Sequence, residues 1–264
     1  MINNLNILIV EGNIRKDSEI FIKAAGSTAS ENLKKLLIKL VPGTNIEIIN
    51  PGNDIMTSQA LNNINKFDGV AFTGGALRIN DMTDEIKKHI NFAANCFNKN
   101  KKILAICWGL QVCSTAAGGK VAKGVNGAHI GIASNVQINQ KGKTNLIYKN
   151  KKNIFNTPAF NYDEVCEIPK NAEILSSNDV NKVMGLYFKS GKSEIWGFQY
   201  HPDYEYYQMI NLSNARKERI LQNKYFESEE GFQKHLSYIE AENKKLDFDN
   251  RTCEIKNWID IIKN

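Results

Sequence analysis

The sequence lacks the features that mark membrane-spanning, disulfide-stabilised or zinc-stabilised proteins. No stretch of about 18 consecutive apolar residues occurs, and residues 1–10 contain no basic leader followed by a long apolar run. The five cysteines form an odd set without C-x-x-C spacing, which argues against both a disulfide framework and a structural zinc site. We therefore expect a cytoplasmic protein with reduced thiols, no membrane association, and no metal or organic cofactor.

The chain also lacks a P-loop and a convincing nucleic-acid surface. Its formal charge is +6, but the lysines are spread along the chain and mostly alternate with acidic residues. The densest basic run, residues 149–152, has no interleaved aromatic residues that could stack on bases, so we predict a turn there. With 42% hydrophobic and 23% charged residues, the composition is that of an ordinary globular protein. We expect no nucleic-acid partner.

Short apolar runs alternate with amphipathic helical patterns in the first half of the chain. This alternation predicts an α/β fold with a mostly parallel central sheet flanked by helices. Beyond Gly118 and Gly119 the pattern becomes more strand-like, and several of these strands should pair antiparallel. The predicted strands are residues 5–10, 46–49, 70–72, 102–106, 135–138, 173–175, 183–188 and 194–199, and the predicted helices between them are residues 31–40, 58–65 and 84–97.

Helical periodicity returns after residue 206 and continues almost to the end of the chain. The predicted helices are residues 206–221, 229–243 and 253–262, and Trp258 belongs to an apolar stripe on the last one. No flexible Gly/Ser linker separates this segment from the rest. We therefore expect residues 1–206 to form a catalytic domain and residues 207–264 a helical extension packed on it. A contact between copies in a homo-oligomer remains open.

A sharp turn around Cys107 is the first candidate for chemistry. The residues Ala105-Ile106-Cys107-Trp108-Gly109 follow a predicted buried strand and precede a helix. A nucleophile on such a turn needs small residues two positions away on each side, and Ala105 and Gly109 meet that need. The helix N-terminus would favour the thiolate and later stabilise an oxyanion. The alternative is that Cys107 is a small buried hydrophobic residue, as the other four cysteines are expected to be.

A cysteine nucleophile needs a base, and His201 is the best of the four histidines. It follows the predicted strand 194–199 and precedes Pro202, which restrains the backbone where the side chain leaves the strand. His89, His129 and His235 are interpreted as surface or loop residues. Either Asp203 or Glu205 could orient the imidazole of His201, and we favour Asp203.

Four motifs in order resemble the class I (triad) glutamine amidotransferases. They are Phe67-Asp68-Gly69-Val70 through Thr73-Gly74-Gly75, Ala105 through Gln111, Tyr162-Asp163-Glu164-Val165, and Gly197-Phe198-Gln199-Tyr200-His201-Pro202. The resemblance covers about residues 5–206 and is strongest to stand-alone members similar to the amidotransferase domain of GMP synthase. It implies a flavodoxin-like α/β fold and a cysteine that attacks the side-chain amide of glutamine.

The resemblance also assigns roles by position. It implies that Cys107, His201 and Asp203 form a catalytic triad, and that the backbone N–H groups of Gly75 and Trp108 bind the oxyanion. Substrate contacts are implied for Gln111, Phe160, Asn161 and Tyr162. The sequence departs from the family pattern in having Ala105 for glycine, Asp203 for glutamate, and Asn161 for a histidine or similar residue. Asp203 has a carboxylate one methylene shorter, and Asn161 affects the expected recognition of the substrate.

Three functions fit these residues. The first is a glutaminase that forms a γ-glutamyl thioester and releases ammonia for a synthetase, which must be another chain because no P-loop is present here. The second is a stand-alone hydrolase acting on a γ-glutamyl amine or peptide. The third is a non-catalytic scaffold with the same fold. The sequence favours the first function, with L-glutamine or a γ-glutamyl compound as the ligand.

Overall fold

A nine-stranded β-sheet forms the centre of the computed structural model, which describes residues 4–53, 57–99 and 101–263. Two further strands pair with each other beside it. The strands are β1 (Asn6–Val10), β2 (Asn45–Ile49), β3 (Gly69–Phe72), β4 (Lys102–Ile106), β5 (Lys120–Lys123), β6 (His129–Ile138), β7 (Ile154–Asn161), β8 (Asp163–Glu167), β9 (Glu173–Ser177), β10 (Gly185–Ser190) and β11 (Ser193–Phe198).

The large sheet has a parallel part and an antiparallel part. Its order is β2-β1-β3-β4-β11-β10-β9-β6-β7, and the first five strands are parallel to one another. The pairings from β11 through β7 are antiparallel. The predicted α/β fold is confirmed, as is the antiparallel pairing in the second half. Strands β5, β7 and β8 were not predicted.

Helices cover both faces of the sheet. None of the helices in the described part of the chain is long and apolar enough to cross a membrane. Helix α1 was not predicted, whereas the predicted tail helices are present. The helices are α1 (Arg15–Ala25), α2 (Ala29–Leu40), α3 (Thr57–Asn62), α4 (Asp84–Phe97), α5 (Trp108–Ala116), α6 (Gln140–Thr144), α7 (Tyr206–Ala215), α8 (Lys217–Gln222), α9 (Glu229–Asn243), α10 (Phe248–Arg251) and α11 (Cys253–Lys263).

The core consists of one apolar cluster on each face of the sheet and a third beneath the tail helices. One face packs on α4 and α5 and the other on α2 and α11. The third cluster joins α1, α7 and α9 to strand β6. Because strands β1, β3 and β4 are buried on both faces, they appear in the sequence as continuous apolar runs rather than alternating ones.

The helical tail makes both apolar and polar contacts with the sheet. Trp258 of α11 is fully buried, and a Cβ added to Gly69 of β3 would lie 2.6 Å from its ring. The polar connection is also buried. The Lys151 ammonium lies 2.9 and 3.0 Å from the two carboxylate oxygens of Glu254, and the Tyr200 hydroxyl donates to the same carboxylate at 2.6 Å. The tail is therefore held directly to the residue before His201.

Replacing Glu254 with glutamine should strongly destabilise the fold. Lys151 and Glu254 side chains are 1% and 0% exposed, so the substitution leaves an ammonium without its counter-charge in the core. Removing one partner of a buried ion pair costs about 3 to 5 kcal/mol. We expect a loss of that size in the free energy of unfolding, measured by urea titration.

The matched control is Glu167→Gln, which removes the carboxylate from an exposed ion pair with Lys120. Solvent screens that pair, so its loss should leave the unfolding midpoint nearly unchanged. Equal midpoints for the two variants would show that the Lys151–Glu254 pair does not hold the tail to the core.

Candidate active site

Cys107 occupies a strained turn between β4 and α5, at the position where the sequence predicts a sharp turn. Its backbone angles are φ 51° and ψ −107°, a conformation that residues with a Cβ rarely adopt. Its N–H donates to the Phe198 carbonyl of β11 at 2.6 Å. Gly109, two residues later, must lack a side chain, because an added Cβ would lie 2.6 Å from the Phe72 carbonyl oxygen. The turn presents the sulfur at the end of the sheet, as a nucleophile requires.

The N-terminus of α5 points at this sulfur. Trp108 is the first residue of the helix, where backbone N–H groups have no intrahelical acceptor. Gly75, Trp108 and Cys107 line the same cleft. The partial positive charge of a helix N-terminus stabilises negative charge placed there. This arrangement is suited to a thiolate and to an oxyanion formed on an attacked carbonyl.

His201 lies beside Cys107 although the two residues are distant in sequence. Strand β11 is the parallel neighbour of β4, with Phe198 opposite Ile106, so both chains leave the sheet at the same edge. A Cβ added to Gly74 would lie 2.6 Å from His201 Cε1 and 3.6 Å from Cys107 Cβ. The two buried side chains therefore meet over Gly74, which leaves room for both.

Asp203, rather than Glu205, contacts His201. The Nδ1 atom of His201 lies 3.1 Å from Oδ1 of Asp203, so the shorter carboxylate reaches the ring. Glu205 is instead the N-cap residue of α7, and its carboxylate accepts a hydrogen bond from Arg251 at 3.4 Å. Arg251 also donates to the Pro202 carbonyl, which ties the His201 segment to the tail. Of the two predicted candidates, only Asp203 is placed to orient the imidazole.

The surroundings of His201 stabilise its protonated form. Burial lowers the pKa of the imidazole, but the negative charges of Cys107 and Asp203 and hydrogen bonds to both outweigh it. The net effect raises the pKa of His201 from 6.5 to about 10. An imidazolium next to a cysteine can donate a proton to a departing nitrogen.

The predicted substrate-binding residues line the cleft above Cys107. Gln111, Phe160, Asn161 and Tyr162 all contribute to its wall, and the space within it, counted with the open solvent at its mouth, is about 510 Å³. The Phe160 carbonyl oxygen lies 3.7 Å from the sulfur. Gln111 donates to the Asp163 carbonyl at 2.9 Å, which connects α5 to the start of β8.

The side chain of Asn161 points into a buried polar network. Its Oδ1 accepts a hydrogen bond from Nδ1 of His129 at 2.8 Å, and its Nδ2 donates to Asn181 and to the Asp163 carbonyl. Only its backbone is therefore available to a ligand in this conformation. Asn161, which departs from the family pattern, therefore has its side chain behind the wall of the cleft.

The interpretation of His89 and His129 as surface or loop residues was wrong. His89 is fully buried, with its ring nitrogens 2.8 and 3.0 Å from the carbonyl oxygens of Glu85 and Glu11, and its ring packs edge-on against Trp108. His129 is 3% exposed and supports Asn161. His235 is half-buried and contacts the Ile130 carbonyl. The polar residues that flank His89 and His129 in the sequence suggested exposure. Their burial depends on contacts with segments far away along the chain.

Three arginines in the cleft were not singled out from the sequence. Arg78 forms two hydrogen bonds of 3.0 Å to the carboxylate of Asp163. Arg216 and Arg219, from the tail helices, complete the wall. Asp163 lies within a recognisable motif, but no local pattern marks the arginines. Within the described ranges, no group of three or more His, Cys, Asp or Glu residues is placed to hold a metal ion.

Comparisons with known proteins agree with this geometry. Residues 22–225 match the family model for glutamine amidotransferase class-I. A γ-glutamyl-L-1-hydroxyisopropylamide hydrolase from a Pseudomonas species is 26% identical over 97% of this chain and 92% of its own length. A glutamine-hydrolysing GMP synthase subunit from Methanococcus vannielii is 30% identical over 58% of this chain and 75% of its own length.

A solved structure shows the same fold. A glutamine amidotransferase from Thermotoga maritima superposes with a TM-score of 0.71 at 15% identity, covering 98% of each chain. The family match spans both the cysteine turn and His201 and most of the chain. The protein therefore belongs to the class-I glutamine amidotransferase family.

Proposed function

We propose that this protein is a stand-alone γ-glutamyl amide hydrolase that uses Cys107, His201 and Asp203 as a catalytic triad. The observation that carries the proposal is the meeting of the Cys107 and His201 side chains at the floor of an open cleft. This cleft shares Arg78, Tyr162 and other wall residues with a second cleft that opens beside it. The combined space suits a substrate with a leaving group larger than ammonia.

The similarity to the Pseudomonas hydrolase supports this choice over the glutaminase that the sequence favoured. That similarity extends over the tail helices, and the tail supplies Arg216 and Arg219 to the cleft. The similarity to the Methanococcus GMP synthase subunit covers little more than half of the chain. We propose a cytoplasmic location, since the cysteines are free and cytoplasmic thiols stay reduced.

The first half of the proposed reaction forms a thioester. The Cys107 thiolate attacks the γ-carbonyl carbon, and the carbonyl electron pair moves to oxygen, where the N–H groups of Gly75 and Trp108 bind it. Such donors lower the barrier by about 3 to 4 kcal/mol in other oxyanion holes. The carbonyl re-forms as the C–N bond breaks, and His201 gives its proton to the leaving nitrogen.

The second half returns the enzyme to its starting state. His201 now accepts a proton from water, whose oxygen attacks the γ-glutamyl thioester. The C–S bond breaks, glutamate leaves, and the thiolate beside imidazolium is restored. Asp203 holds the imidazole in the orientation that both steps need.

The second candidate is a glutaminase that supplies ammonia to a separate synthetase chain, and the similarity to the Methanococcus GMP synthase subunit favours it. The experiment offers purified protein L-glutamine and a panel of γ-glutamyl amides, with and without cell extract. We expect turnover of a γ-glutamyl amide by the protein alone. Glutamine hydrolysis that occurs only with a partner would instead support the glutaminase.

A third result would reject both enzymatic assignments. It is the absence of turnover together with failure of Cys107 to react with a glutamine-like diazo-ketone, as expected for a non-catalytic scaffold. If the thiol reacts with that reagent but no substrate is turned over, Cys107 remains the assigned nucleophile. Further γ-glutamyl compounds would then be tested as substrates.

A further inference from the structure

Arg216 lies between α7 and α8 and reaches the cleft above Cys107. Its guanidinium carbon is 4.7 Å from the centre of the Phe160 ring, and the Phe160 carbonyl is the group 3.7 Å from the sulfur. Cation–π stacking of this kind fixes the plane of the guanidinium. The stacking therefore holds Arg216 in the cleft that Cys107 and Phe160 also line.

Arg216 has no carboxylate partner in an ion pair among the residues that the structure describes. In that part of the chain, its guanidinium takes part in no hydrogen bond or ion pair, and burial lowers its pKa. Tyr162, Cys107 and Asp17 favour its charged form only through space, and Asp17 belongs to a neighbouring cleft. A partly buried cation without a partner is unfavourable unless an anion is supplied.

The other cations of the cleft differ in this respect. Arg78 is neutralised by two hydrogen bonds to Asp163, and Arg219 is exposed and stacks on Tyr162 at 5.4 Å. Lys123 lies farther out, in the second cleft. Of these four cations, only Arg216 combines partial burial, an orientation fixed by stacking and a position in the cleft that Cys107 lines. A planar guanidinium with free N–H groups is the preferred partner of a carboxylate.

We propose that Arg216 is a specificity-determining residue that binds a carboxylate of the γ-glutamyl substrate, an inference that rests on the proposed function. The carboxylate can come from either end of such a substrate. One source is the α-carboxylate of the γ-glutamyl group, and the other is a carboxylate on the leaving amine. Either source brings a negative charge into the cleft that Arg216 lines, and matched substrates distinguish them.

The test compares two pairs of substrates that differ by one charge. L-glutamine and L-glutaminamide differ only in the α-carboxylate, whereas γ-glutamyl-alanine and γ-glutamyl-alaninamide differ only in the carboxylate of the leaving group. We expect the protein to prefer the charged member of one pair by about 10- to 100-fold in kcat/KM. Arg216→Gln should reduce that preference to near unity, mainly through KM, and Arg216→Lys should restore part of it.

The control is Lys217→Gln, which removes a neighbouring positive charge whose side chain pairs with Glu229 instead of facing Cys107. It should leave both preferences unchanged. Collapse of the glutamine preference assigns Arg216 to the α-carboxylate, and collapse of the γ-glutamyl-alanine preference assigns it to the leaving group. Unchanged preferences in folded Arg216→Gln protein would overturn the inference while leaving the hydrolase proposal intact.

Binding provides a readout that does not depend on turnover. In the Cys107→Ala background, calorimetry with γ-glutamyl-alanine should give a Kd about 10- to 100-fold weaker when Arg216 is also changed to glutamine. If the wild-type protein hydrolyses no γ-glutamyl substrate, the proposed function is refuted, and this loss of affinity still supports carboxylate binding by Arg216. Equal Kd values would overturn the inference.

Discussion

Cys107→Ala protein is expected to lose turnover of every γ-glutamyl substrate, by about 10⁴- to 10⁶-fold in kcat. The substitution removes the atom that forms the thioester, while the oxyanion donors and the cleft remain. The mutant should still bind substrate, because Gln111, Phe160 and the other wall residues are unchanged. Steady-state kinetics and rapid quenching of the thioester would measure the loss.

Cys113→Ala is the matched control, since Cys113 lies on the same helix and is also buried. Burial raises the pKa of the Cys113 thiol well above its usual range, so it should not react as a thiolate. We expect normal turnover and a small change in stability. Substantial activity in Cys107→Ala, or its loss in correctly folded Cys113→Ala, would contradict the assignment of the nucleophile.

Asp203→Asn should reduce kcat by about 10⁴-fold, because the carboxylate that holds the His201 ring in its productive tautomer is lost. Glu205→Gln should change kcat by only a few-fold, since Glu205 contacts Arg251 and the start of α7 instead. The two substitutions each exchange a carboxylate for an amide within three residues. Equal effects on kcat would refute the triad with Asp203.

The pH profile gives the Asp203 variant a second readout. His201 must carry a proton to protonate the leaving nitrogen, and its pKa of about 10 means that the proton is kept below that pH and lost above it. The rate should therefore fall as pH rises through about 10. Removing the Asp203 charge should move this alkaline limb to lower pH. Circular dichroism at each pH would exclude unfolding as the cause.

The local parts of the site could be predicted because their chemistry depends on adjacent residues. A buried strand, small residues around Cys107 and a following helix all lie within one short segment, and His201 follows a strand of the same kind. Their proximity also follows from parallel pairing, since parallel strands place their carboxyl ends at one edge. The sequence left Asp203 and Glu205 open because both are close to His201 along the chain.

The sequence by itself determined the α/β pattern, the cysteine turn and the helical tail, since each depends on short-range periodicity and backbone geometry. Only the tertiary structure decided which carboxylate reaches His201, which histidines are buried, and that Arg216 of the tail lines the same cleft as Cys107. These are contacts between segments far apart in sequence. Their partners are brought together by the packing of whole helices and strands, and no local pattern of residue types encodes that packing.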